Sequence, residues 1–243
     1  KTRTLYMAIS AQAKAVKVEH AIVLAETQGM SALRAYLQRI KDEAASDTGS
    51  KASRDIVSSE HFQRIFDEAQ AVKAEHPKMS RVMGVVARQL ADHPDSRILV
   101  FTHYRDTCDL VANKLGKVDG AKVAKLVGQS DSKGEKGLKQ KEQVGVLQRF
   151  RDGEFNVLVA SSVGEEGLDV ASTDLVIFYE PVPSEIRSIQ RRGRTGRSRA
   201  GNVVIFITRG TMDEAYYYSS LNKEKAMRRR LETMKGELGG TMV

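Results

Sequence analysis

The chain has 243 residues, 41% of them apolar, a formal charge of +8 and a sequence pI near 9.5. That apolar fraction supports a packed core and excludes a disordered chain, while the basic balance points towards polyanions such as nucleic acid or phosphates. The single cysteine, Cys108, excludes a disulfide framework and a cysteine-based zinc site, and no apolar run approaches the roughly 18 residues of a membrane span. A reducing, intracellular setting is expected. The chain opens on Lys1 and closes on "GELGGTMV" without a domain-closing pattern, which reads as a piece of a longer protein.

Residues 1 to about 92 read as helices. In "LYMAISAQAKAVKVEHAIVLAE" (5–26), Leu5, Ile9, Val16, Ile22 and Val23 fall near a helical period. "TQGM" breaks it, and Ser31 is the expected N-cap of "ALRAYLQRIKDEAA". "SDTGSKAS" (46–53) is small and polar and reads as a loop or linker. A third helix is expected near Glu60, with Phe62, Ile65, Phe66, Ala69 and Val72 on one face. "HPKMS" stops it, and a fourth runs from about 79 to 92 with Val82, Val86 and Leu90 at spacings of four.

From Arg97 the rhythm changes to short β-branched runs: "RILVF" (97–101), "AKVAKLV" (121–127), "FNVLVA" (155–160), "DLVIFY" (174–179) and "NVVIFI" (202–207). Helical patterns at 105–117 and 140–151 separate some of them. Alternating strands and helices, with nearly continuous apolar strands, predict an α/β fold whose parallel sheet is covered by helices on both faces. Ligands in such sheets meet the loops at the carboxyl ends of the strands. The stretches to search are therefore "THYRD", "GQSDSKGEKG", "SSVGEEGLDV" and "EPVPSE".

The most charged of the later segments is "IQRRGRTGR" (189–197), with four arginines and two glycines in nine positions. As a helix it places Gln190, Arg194 and Arg197 on one face, with little bulk around them. Forked, permanently charged guanidiniums suit phosphate oxygens. The competing reading is a basic surface helix paired with acidic neighbours. "SSVGEEGLDV" (161–170) follows a strand and offers hydroxyls, glycines that admit a ligand to the backbone, and Asp169 as an acceptor for ribose hydroxyls; alternatively it is an ordinary strand-to-helix turn.

"QRRGRTGR" resembles motif VI of superfamily 2 helicases, "SSVGEEGLDV" motif V and "ILVFTHYRDT" (98–107) motif IV, in the expected order and spacing. "GEFNVLVASSVGEEGLDV", "DLVIFYEPVPSEIRSIQRRGRTGR" and "GTMDEAYYYSSLNKEK" are similar to the Hef and Fanconi anaemia M family of DNA helicases, and "HAIVLAETQGMSALRAYL" looks like that family's helical insertion. The resemblance implies a partial thumb-like insert at 1–76, a second RecA-like lobe at 77–235 and a tail at 236–243. It implies that Arg194 and Arg197 are arginine fingers for ATP, with Gln190 orienting that site and Gly167 and Asp169 bordering the nucleotide. It also implies that Thr102, Tyr104, Arg105, Gly128, Gln129, Ser161 and Ser162 contact the DNA backbone. ATP and Mg2+ would be bound mainly by the first RecA-like lobe, and a cytoplasmic, nucleoid-associated location would follow.

No G-x-x-x-x-G-K-[ST] occurs, since "GEKGLKQ" fails its spacing, and no D-E-x-[HD] stands in a strand context. The E-R-K-x-x-x-D nuclease pattern is absent too. The expectation is half a motor, the C-terminal lobe of an ATP-dependent helicase acting on forked or branched DNA, inactive by itself. An RNA-directed superfamily 2 ATPase and a passive nucleic-acid-binding module are the alternatives. Tyr216, Tyr217 and Tyr218 offer faces for bases, but packing of their helix against the sheet or the thumb is the expected role. Cys108 reads as core, and the histidines lack ligand spacing, so no metal site is expected.

Overall fold

The computed structural model describes residues 2–128, 140–161, 173–181 and 202–239. The chain divides into two compact units, Lys1–Met79 and Ser80–Val243. The boundary falls inside helix α5 (Pro77–Asp92), which buries Met79, Val82, Val86 and Leu90 at helical spacing.

The first unit contains helices α1 (Thr2–Thr27), α2 (Met30–Ala45), α3 (Lys51–Val57) and α4 (Glu60–Ala71). Its core joins Leu33, Leu37 and Ile40 of α2 to Phe62 and Ala69 of α4, because residues three and four apart share one helical face. Cationic side chains hold the helix ends, where carbonyls lack intrahelical partners. Arg34 donates to the carbonyls of Ala69 (3.0 Å) and Val72 (2.6 Å), and the buried ammonium of Lys78 donates to Thr27 O at 3.1 Å. Gly29, at φ 92°, makes the turn between α1 and α2. A Cβ there would stand 2.8 Å from that of His76, so glycine is required for conformation and for space.

Three details differ from the sequence expectation. Helix α2 starts two residues early and takes Gly29 as its N-cap, while the Ser31 hydroxyl accepts from Arg34 at 3.2 Å. The stretch 46–53 is not all loop: Ser50 accepts from the Ser53 N–H at 3.1 Å and so starts α3, which a hydroxyl in that position favours. On α1 only Val23 and Leu24 of the large apolar residues are buried, while Leu5, Ile9, Val16 and Ile22 are exposed.

The second unit is a five-stranded, wholly parallel sheet. Its strands β1 (Ile98–Thr102), β2 (Val123–Leu126), β3 (Val157–Ser161), β4 (Leu175–Phe178) and β5 (Asn202–Ile205) lie in the order β2-β3-β1-β4-β5. Every residue of β1, β3 and β4 is buried, which explains their unbroken apolar sequences. One face carries Leu99, Phe101, Leu158, Ala160, Val176 and Phe178 against Leu147 and Phe150 of α7 (Gln140–Arg151). The outward crossover from β1 to β2 and the return to β3 run in opposite directions. Right-handed connections therefore place α6 (Arg105–Leu115) and α7 on opposite faces. Helix α6 buries Cys108, Val111, Ala112 and Leu115. The Cys108 thiol donates to Val159 O at 3.6 Å, and burial pushes its pKa up to about 12, so it behaves as a core residue and not as a nucleophile. After β5 comes α8 (Met212–Gly239). The α/β reading of the sequence and its parallel sheet are thus observed, and no helix among the described residues is long and apolar enough to cross a membrane.

The Lys17–Glu43 pair (2.8 Å) ties α1 to α2. The hydrogen bond from Lys17, with further ones from Ser50 and Ser53, lowers the Glu43 carboxyl pKa from 4.5 to about 2. A depressed carboxylate pKa stabilises the fold above the unfolded value, and that contribution is lost as pH falls through the folded one. The melting-temperature gap between wild type and Glu43→Gln is therefore expected to be widest above pH 4.5 and to close by about pH 2. A gap independent of pH would remove this role for the pair.

Candidate nucleotide and nucleic-acid interface

Parallel strands deliver all their carboxyl ends to one edge, and the described motif residues meet there. Thr102, the last residue of β1, is the register partner of Ser161, the last of β3. Gly128 follows β2, whose Leu126 pairs with Ala160. Segments separated in sequence by about 25 to 60 positions thus become neighbours at strand spacing of roughly 5 Å. Thr102, Ser161 and Gly128 are buried. The Thr102 hydroxyl donates to Tyr104 O at 3.2 Å, so it shapes the turn that follows β1. The Gln143 amide likewise fixes Val127 O at 2.9 Å.

That turn presents His103, Tyr104 and Arg105. His103 is exposed and Tyr104 and Arg105 are half-buried, with the His103 and Tyr104 rings edge to face at 4.8 Å. Tyr104 is the N-cap of α6 in extended conformation, and its carbonyl accepts from Cys108 N at 3.0 Å. Two buried carboxylates that the sequence reading missed support the same edge. Glu180, just after β4, accepts the His103 N–H, and Tyr179 N donates to Phe101 O at 2.9 Å, so the β4 end grips the β1 turn from both sides. Asp213, in the first turn of α8, accepts the Thr208 N–H at 2.9 Å. Burial first, then the charge of Glu180 and the groups of Tyr216 and Asp213, push the Tyr104 hydroxyl up to about 12, so it stays a proton donor at neutral pH.

A signal for each carboxylate was present. Glu180 is the first acidic residue after a wholly apolar strand, and "TMDE" has the T-x-x-E form of a helix start. Thr211 and Glu214 make a variant of that start: Thr211 Oγ1 accepts from Asp213 N at 3.3 Å, and Glu214 accepts from Gly210 N at 2.9 Å, each one residue before the usual partner. The remaining expected residues, Gln129, Ser162, Gly167, Asp169, Gln190, Arg194 and Arg197, lie outside the described residues. A cavity of about 880 Å³ lies at the opposite, amino edge, lined by Met83, Leu90, Lys117, Lys122 and Asn156 among others, and involves no motif residue. Among the described residues no group of three His, Cys, Asp or Glu side chains is disposed to hold a metal.

Glu180→Gln removes a negative charge beside Tyr104 and should lower that phenol's pKa while burial keeps it above 10, the ordinary value. Ultraviolet or NMR titration of the tyrosines reads this directly. An unchanged Tyr104 titration would place Glu180 outside electrostatic reach of the ring.

The helicase conserved C-terminal domain family matches residues 78–199, half of the chain. Residues 3–77 match a second family, "Putative ATP-dependent RNA helicase, helical bundle". A "Putative ATP-dependent RNA helicase" of Methanocaldococcus jannaschii is 41% identical over 94% of this chain and 28% of its own length. The "ATP-dependent DNA helicase mph1" of Aspergillus terreus is 34% identical over 85% of this chain and 20% of its own. The crystal structure of the Pyrococcus furiosus Hef helicase domain superposes with a TM-score of 0.65 at 48% identity, covering 89% of this chain and 44% of that one. The chain therefore spans less than half the length of each of these relatives. It belongs to the superfamily 2 helicases of the Hef and Fanconi anaemia M type, as their conserved C-terminal helicase domain preceded by a helical bundle.

Proposed function

We propose that this chain is the C-terminal motor lobe of an ATP-dependent DNA helicase or translocase that acts on forked or branched DNA. The observation that carries the reading is the convergence of the motif IV residues, Gly128 and Ser161 on one carboxyl edge of a parallel sheet. A translocase must step along any sequence, so it grips phosphates and sugars and not base edges. Tyr104 and Arg105 offer donors at that edge, Thr102 sets their turn, and Gly128 and Ser161 supply backbone and hydroxyl donors around it; Gln129 and Ser162, next to them in sequence, are assigned the same role.

The nucleotide side belongs to the segments 161–170 and 189–197. Two guanidiniums, an amide and a carboxylate suit a triphosphate and a ribose by their chemistry. Bound ATP supplies the phosphoryl group, and Mg2+, held mainly by the first RecA-like lobe, neutralises part of its charge. Arg194 and Arg197 would meet charge that spreads over the phosphate oxygens in the transition state, Gln190 would orient the site, and Asp169 beside Gly167 would hold the ribose. With no Walker lysine in its sequence, the chain alone should neither hydrolyse ATP nor unwind DNA.

The DNA reading rests on the Hef resemblance and on the fungal relatives named DNA helicases, while the archaeal relative named for RNA supports an RNA-directed motor as the second reading. One set of ATPase assays on the full-length protein tests both. Forked DNA should stimulate turnover more than duplex RNA. Arg194→Ala and Arg197→Ala should each cut turnover by about a thousandfold, with DNA affinity and melting temperature little changed. Near-normal turnover in a folded Arg197→Ala protein would end the finger assignment, and stronger stimulation by RNA would favour the second reading.

A further inference from the structure

The first turns of α8 and the surface that continues from them are left unexplained by motifs IV to VI. Asp213 and Ser220 are buried and Tyr217 is half-buried, so positions i, i+4 and i+7 form the inward face. Tyr216 and Tyr218 fall on either side of it and are 37% and 56% exposed, which corrects the expectation that the three tyrosines serve helix packing. Heptad spacing keeps side chains on nearly the same face of a helix, with a drift of about 20° per heptad. Tyr216, Lys223 and Arg230 follow that spacing, and Ser219 and Met227 fall between them on the same stripe. Tyr216, Ser219, Lys223 and Arg230 are exposed, and the stripe carries no carboxylate. Tyr218 instead shares its side of the helix with Glu214.

The stripe starts at the carboxyl edge of the sheet. Helix α8 follows β5, and Phe206 N bonds Phe178 O at 2.9 Å, which holds its entry beside the end of β4. Asp213 then ties the first turn to Thr208 N. Glu180 binds the same end of β4 to His103, so Tyr216 emerges on the side of the sheet edge where the His103 and Tyr104 rings stand edge to face. The influence of Tyr216 on the Tyr104 hydroxyl agrees with that placement. An exposed ring followed by two cations over about 20 Å of helix has the composition that single-stranded nucleic acid needs, a π-face for bases and positive charge for phosphates.

We propose that the Tyr216–Lys223–Arg230 stripe of α8 is a binding track for single-stranded nucleic acid, on which Tyr216 stacks an unpaired base beside Tyr104 while Lys223 and Arg230 hold the phosphates that follow. This deepens, and rests on, the reading of the chain as a nucleic-acid motor lobe. Stacking recognises any base, so the track has no sequence preference; it senses that a base is present and unpaired.

The test uses the full-length protein and two fluorescent probes of equal length, an oligothymidylate and its abasic counterpart. Wild type should prefer the base-bearing strand by about tenfold, the scale of one stacked base. Tyr216→Ala and Tyr216→Leu should lose that preference, the second keeping apolar bulk without a π-face, and Tyr216→Phe should keep it. Lys223→Ala and Arg230→Ala should weaken both probes alike and reduce the salt dependence by about one phosphate contact each. Melting curves identify any variant that is unfolded, and Tyr216→Phe and Lys223→Ala carry the test if the other three are. A folded Tyr216→Ala or Tyr216→Leu protein that still prefers the base-bearing strand would overturn the proposal, as would a Tyr216→Phe protein that does not, or unchanged affinity in both cation variants. Failure of wild type to bind either probe would instead remove the nucleic-acid reading itself.

Discussion

Strand β1 is hydrogen-bonded in register on both sides, to β3 and to β4, and all five of its residues are buried. It has no polar side chain until Thr102, so it contributes only hydrogen-bonding backbone and apolar bulk to the interior. A parallel strand in this position must be covered on both faces, which requires crossover helices. Those crossovers return every strand in the same direction. The common edge where Thr102, Gly128 and Ser161 meet is therefore a consequence of how the middle strand is buried. The polar residues collect where the apolar runs stop, because nowhere else in the sheet leaves their partners within reach.

Two acids sit close to an edge read here as attracting phosphates. Glu180 and Asp213 are buried, and each accepts a backbone N–H, so their charge is directed into the turns they hold. Such bonds to an ionised acceptor are stronger than neutral ones and fix the turns more tightly. Their negative potential partly offsets the attraction of Arg105 and the backbone donors for a phosphate at the strand ends. Cationic contacts are then better placed farther out, as Lys223 and Arg230 are, while an uncharged aromatic face remains compatible with the interior carboxylates.

Much of the sheet was legible because each strand is an unbroken apolar run bounded by polar residues, a pattern that survives without knowledge of partners. The α5 face Val82, Val86 and Leu90 was legible for the same reason at a different period. Cap positions were less so. Ser31 stands where a cap would suit, but Gly29 wins because only glycine fits both the positive φ and the approach of His76, some 47 positions away. The role of Glu180 depends on a bond to a residue 77 positions distant, and no local pattern encodes that. Tyr216 and Tyr218 read as packing residues because aromatic rings usually bury. Their exposure follows from which face of α8 turns inward, and that face is set by Asp213 and Ser220, two polar residues that an apolar-periodicity reading discounts.

Strand β5 shares the edge position with β2, but unlike every other described strand it has no buried residue. Its pairing runs to β4 alone among the described strands, and Asn202 and Val203 are exposed. Its backbone amides can open to solvent by a local separation that leaves β1, β3 and β4 paired, whereas those of β1 cannot exchange until both neighbours part. Hydrogen exchange should then divide this sheet into a slow centre and a fast margin. The fast margin is the strand that takes up the chain a few residues after "RRGRTGR", so the arginine segment is joined to the sheet through one of its most readily opened members.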